Sequence, residues 1–280
     1  MWRDLLIGAS DVLKRGDRKP DPVIRNERSL ILADSDLRQV SKMANQNHYD
    51  FLIEEMVRVP QLLEYIGRLS TDLEENETPQ MAQEILTQAV TIAVSLSDWL
   101  TNFESLYPLP ATCAPIPAND SSSGIFAQFL EFPNLLVAQA MIHCWAAMII
   151  VLRCIKICGD ILGRITDSPP LPMLAGIHTP SMATHETSSR HSTTAEPEAL
   201  ALQFADAICC SVQYCISKDK GAAGPILLMP PLWIAKDLYA NYANATTRSK
   251  EAFVTGVYQQ LANRGLHFSA ALIQLSSRSE

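Results

Sequence analysis

The chain has 280 residues, of which 48% are hydrophobic and 19% charged, with 11 glycines and a formal net charge of −8. That length supports one large or two ordinary domains with ample core, and the composition excludes a fibrous or wholly disordered polymer. The acidic balance argues against a nucleic-acid-binding surface, which would carry a basic stripe.

At the N-terminus, Trp2, Leu5, Leu6, Ala9, Val12 and Leu13 fall on one helical face. No apolar run with a small-residue cleavage site follows a charged start, so no signal peptide is expected. The basic cluster "KRGDRK", Lys14 to Lys19, reads as a solvated helix end in preference to a nuclear-import or phosphate-binding patch. Helices are predicted around Leu30–Ala44 and His48–Val57, with a new one opening at Pro60 and carrying Leu62, Leu63, Ile66 and Leu69. Glu54 and Glu55 are adjacent and read as solvated. Thr78 and Pro79 give a cap and a first-turn proline for the long helix that follows.

"YPLPATCAPIPANDSSSG", Tyr107 to Gly124, is a proline-rich loop. Beyond it stands the strongest apolar run, Leu135 to Leu152, about the 18 to 20 residues a membrane helix requires. Gln139 and His143 interrupt it, and Arg153 and Lys156 continue it. A central helix from Pro133 to about Ile165, wrapped by others, is the better reading than a bilayer span. Thr166 to Glu198 has the Ser/Thr/Pro/His composition of a flexible linker, in which His178, His185 and His191 read as incidental and a phosphorylation target finds only weak support. Further helices are expected near Glu198–Lys218, Leu232–Ala243 and Lys250–Asn263, the last stopped by Gly265 as a C-cap. No sustained strand alternation occurs. The fold expected is all-α: residues 1–166 form its first part, 167–197 a linker, and 198–280 helices packing on the same domain.

Seven cysteines, an odd number set in apolar stretches, fit a reducing compartment better than a disulfide framework. Cys209, Cys210 and Cys215 diverge on a helix and cannot converge on one ion. Cys154 and Cys158 share a face that Cys144 approaches, yet no C-x-x-C occurs, so core packing is expected and no metal site. No hydrolase elbow, H-E-x-x-H or phosphate loop is present, and "GAAGP", Gly221 to Pro225, is a turn between helices. His143 and Cys144 point about 100° apart on a helix and make no base–nucleophile dyad. His143 is expected to be a buried histidine satisfied by a neighbouring helix. No catalytic residue and no cofactor is assigned.

The order of segments resembles the middle and C-terminal regulatory region of fungal zinc-cluster transcription factors. "WRDLLIGASDVLKRGD" and "DFLIEEMVRVPQLLEYIGRL" are similar to that region's early helices. "LEFPNLLVAQAMIHCWAAMIIVLRCI", with Phe132, Ala138 and Trp145, looks like its long helix, and "ALQFADAICCSVQYCISKDKGAAGPILLMPPLWIAKDLY" with "VYQQLANRGLHF" resembles its closing helices. The family's six-cysteine zinc module and basic linker are not matched, so direct DNA binding is not carried over. The resemblance implies a nuclear regulatory or protein-interaction domain, partnered by an intact zinc-cluster factor or a second copy of itself. A cytoplasmic protein is the expectation without the resemblance. Two other readings stay open. One is a sensor holding a hydrophobic small-molecule effector between helices, with Trp99, His143, Trp145 and Arg153 as pocket residues. The other is a repurposed enzyme acting on an apolar metabolite.

Overall fold

A computed structural model describes residues 46–71, 78–107, 111–112, 125–126, 129–165, 174, 177–178, 196–242 and 244–266. The predicted helices at residues 2–13 and 30–44 lie outside them. The described residues form an all-α array. Helix α1 is Gln46–Thr71, α2 Thr78–Leu106, α3 Leu135–Ile165, α4 Pro197–Cys210, α5 Val212–Ile216, α6 Ala223–Ala240 and α7 Ala245–Asn263. A one-turn 3-10 segment, Lys218–Lys220, precedes α6. One short antiparallel bridge pairs Ala111 with Leu130 and Thr112 with Phe129.

The apolar run becomes α3, and α1, α2, α4 and α6 all pack against it. Val137, Ala138, Met141, Ile142, Trp145, Ala146, Met148, Ile149, Val151, Leu152 and Ile155 are fully buried. A helix enclosed on all sides must be apolar all round, so its membrane-like hydropathy is accounted for by protein neighbours. Helix α4 is also long and apolar enough to cross a membrane when taken with α5, and most of it too is buried.

Several boundaries differ from the sequence reading. Helix α3 starts two residues beyond Pro133 because the Asn134 side chain accepts the Val137 N–H at 2.9 Å and caps the first turn. Pro60 does not begin a helix but sits inside α1. The buried stripe Leu52, Val59 and Leu62 runs unbroken past it, so burial outweighs the lost backbone donor. The same holds in α6, which opens at Ala223 and contains Pro230 and Pro231. There the Tyr258 hydroxyl donates to the Met229 carbonyl beside the proline pair, at 2.9 Å. The helix expected over Glu198–Lys218 breaks at Ser211, whose hydroxyl donates back to the Ala207 carbonyl at 2.8 Å. Gly224 lets α6 approach α5: a Cβ there would lie 2.1 Å from the Cys215 carbonyl oxygen.

Gly265 is the expected C-cap. At φ 93° it donates to Ala262 while Leu266 N–H donates to Leu261, closing a Schellman turn. Asn244 caps the other end of α7 by accepting the Thr247 N–H at 2.8 Å. Within the stretch read as linker, Leu174 is buried, and the His178 N–H donates to Ser97 Oγ at 2.7 Å. The His178 ring lies against Glu104 of α2. At least this part of the stretch is therefore held on the helical body, because a buried apolar anchor and the His178 backbone and ring contacts fix it there.

Candidate functional site

One shallow cleft of about 280 Å³ opens where α3, α4 and α6 meet. Leu152, Arg153, Lys156 and Ile157 reach it from one face of α3, Glu198 and Ala201 from the start of α4, and Leu238 and Tyr242 from the end of α6. Its walls are apolar and its rim is charged, but the charges are already committed. Arg153 pairs with Asp237, and Lys156 Nζ lies 2.9 Å from Asp160 and 3.1 Å from Glu198. Hydrogen bonding to Asp160, then to Glu198, raises Lys156 above the usual lysine range. Burial raises the Tyr242 phenol, so it is protonated at neutral pH. The cleft thus offers apolar walls and paired ions, with no nucleophile beside a base.

The four residues suggested as a pocket are not brought together. Only Arg153 lines the cleft. Trp99, on α2, is buried, stacks on Phe103 at 4.5 Å between centroids, and donates its indole N–H to the His48 carbonyl at 2.7 Å. His143 is half-buried, and its Nδ1 lies 2.8 Å from the Gln139 carbonyl of its own helix, not a neighbouring one. Desolvation holds its imidazole below the usual value, keeping it neutral. Trp145 points about 200° away from His143 around α3. It is fully buried near Phe132, and among the described residues its indole nitrogen has no hydrogen-bond partner.

The described cysteines are core. All six described cysteines are buried and free, and among the described residues no group of three His, Cys, Asp or Glu side chains could hold a metal. Cys144 Sγ faces the Leu96 carbonyl, away from His143. The polar cluster that sequence reasoning missed centres on Asp206. It accepts from the Tyr239 hydroxyl at 2.7 Å and from Lys250 Nζ at 2.7 and 2.8 Å, and Cys209 Sγ sits 3.7 Å from the same hydroxyl. A lone aspartate in an apolar helix was the available signal. With every member satisfied, the cluster ties α4, α6 and α7 together.

A second candidate is a surface. Helix α1 buries one stripe against the body and leaves several apolar side chains exposed. Leu52, Glu55, Val59 and Leu62 face the body, where Glu55 is buried and held by Arg58 at 2.8 Å, not solvated as its neighbour Glu54 is. Beside that stripe Tyr49 and Met56 are half-buried and pack on the core, the Tyr49 ring edge-on to Phe103 at 5.8 Å between centroids. Ile53, Val57 and Leu63 of the same helix are 47%, 56% and 36% exposed. Ile53 and Val57, one turn apart, form a small exposed apolar pair that is a candidate contact surface.

Comparison of the chain with protein-family models, with curated proteins and with solved structures finds no match.

Proposed function

We propose that this chain is a regulatory protein-interaction module of the transcription-factor-like kind, without a DNA-binding element of its own, that acts in the nucleus by contacting other proteins. The resemblance of its helix order to the effector half of fungal zinc-cluster factors supplies the regulatory context. The observation that carries the reading is the exposed apolar pair Ile53 and Val57 on α1, 47% and 56% exposed. The cleft supports the sensor and enzyme readings less well. Its 280 Å³ sits at the small end for an organic ligand, and Arg153 and Lys156 are neutralised by carboxylates within the chain.

The test is a tethered reporter. Fused to a heterologous DNA-binding module, the chain is expected to change reporter transcription several-fold, and Val57→Asp is expected to abolish that change without loss of protein. A silent reporter at normal protein level would overturn the reading.

A further inference from the structure

We propose that the cleft between α3, α4 and α6 is a binding site for a small monocarboxylate with a compact apolar body. The site lies apart from the exposed pair on α1, and it stands whether or not the chain regulates transcription.

Polar groups converge on one side of the cleft. Arg153 and Lys156 are one turn apart on α3 and so share a face. Both line the cleft together with Glu198, whereas their other partners, Asp160 and Asp237, stand outside the lining. The charges of Glu198, Lys156 and Arg153 all act on the Tyr242 phenol, which sets the four groups around one space. The lining therefore carries two cations and one carboxylate, a surplus of one positive charge.

Ion pairing neutralises these cations without using up their donors. Arg153 gives one hydrogen bond, from Nη1 to Asp237, and the rest of its guanidinium fork is unused among the described residues. Lys156 meets Asp160 at 2.9 Å and Glu198 at 3.1 Å, which leaves it a further donor. The side chains in these pairs are 34% to 48% exposed, so the pairs are weak and a competing carboxylate exchanges into them at little cost. The start of α4 adds to the same side. Pro197 and Glu198 line the cleft there and no side chain caps the helix, so the positive end of its dipole borders the space.

Two further features select the rest of the ligand. A second negative charge would have nothing left to balance it, so the head is a monoanion. Leu152, Ala201 and Leu238 form a floor that is at most 2% exposed, and Ile157 is a wall left 38% exposed. These surfaces suit an aliphatic or aromatic body, whose burial supplies the affinity that exposed ion pairs do not. At about 280 Å³ the cleft is too small for a bulky effector, so the body is a single ring or a short chain.

NMR titration of the isotope-labelled full chain tests this at neutral pH with four probes: phenylpropanoate, phenylpropanol, phenylpropylamine and inorganic phosphate. Phenylpropanoate is expected to shift the amides around Arg153, Ala201 and Leu238, and to bind at least about tenfold more tightly than the other three. Arg153→Gln should weaken its binding about tenfold. Glu198→Gln, which removes the competing carboxylate, should tighten it. Opposite signs in two variants with native-like spectra separate a changed contact from a misfolded chain.

No shift with phenylpropanoate at about 10 mM would overturn the proposal. Equal binding of phenylpropanol would also overturn it, by making the site merely apolar, and equal binding of phosphate would do so by making it a general anion patch. An affinity unmoved by both substitutions would place the carboxylate elsewhere and overturn it too.

Discussion

Burial sets the chemistry of the thiols. It pushes Cys158 up to about 11 and Cys154, Cys210 and Cys215 up to about 12, and it raises Cys144 and Cys209 as well. These groups are protonated at neutral pH and shielded from reagents. In the folded chain at pH 8, a thiol reagent should therefore modify at most one of the seven cysteines rapidly, and all seven after denaturation. Rapid native labelling of two or more would contradict the packing. The same shifts fix a sign for stability. Between the ordinary thiol value of 9.0 and the raised values, the unfolded chain releases protons that the folded chain keeps. Stability therefore falls as pH rises through that window. His143 acts at the other end. Its imidazole is held down by desolvation, so acidification through the ordinary value of 6.5 protonates the unfolded chain first and stability is lost as pH falls.

The helices are set by caps and buried stripes acting together. Asn134 and Asn244 each close a helix N-terminus by a side-chain hydrogen bond, at 2.9 and 2.8 Å. Asn134→Ala and Asn244→Ala should each cost about 1 kcal/mol, lowering Tm by about 2–4 °C. Calorimetry of the two variants checks this, and a Tm within error of the parent would show that the caps do not hold these ends. Such local signals were legible: Gly265, the Thr78–Pro79 start and the apolar run of α3 could all be read from the residues. Pro60, Pro230 and Pro231 misled because a proline inside a helix is tolerated when the stripe around it is buried, and burial is a tertiary property. The ties between Asp206 and Lys250, 44 residues apart, and between Glu104 and His178, 74 apart, leave no trace in local pattern. The four pocket candidates failed to converge for the same reason. Polar groups on apolar helices mark exceptions in a stripe, and only the packing decides which way each exception points.

At the scale of the whole molecule, α3 organises the body. Helices from both sides of the 167–197 stretch pack on it, and one hydrophobic cluster runs from Leu52 to Leu261. So complete an enclosure leaves little interior space for a ligand, which moves the search for function to the outside. There α1 buries Leu52, Val59 and Leu62 and leaves Ile53 and Val57 exposed one turn apart. On the proposed reading this exposed pair is the contact surface, and a regulatory role would follow from what it contacts.

The central claim is tested most directly in the host cell, by replacing the gene with a copy encoding Val57→Asp and profiling transcripts against the parent and a deletion strain. The account predicts that the deletion changes a defined set of transcripts, and that Val57→Asp, at normal protein level, changes the same set in the same direction. A deletion that alters no transcripts, or a Val57→Asp strain indistinguishable from the parent while the deletion strain differs, would contradict it.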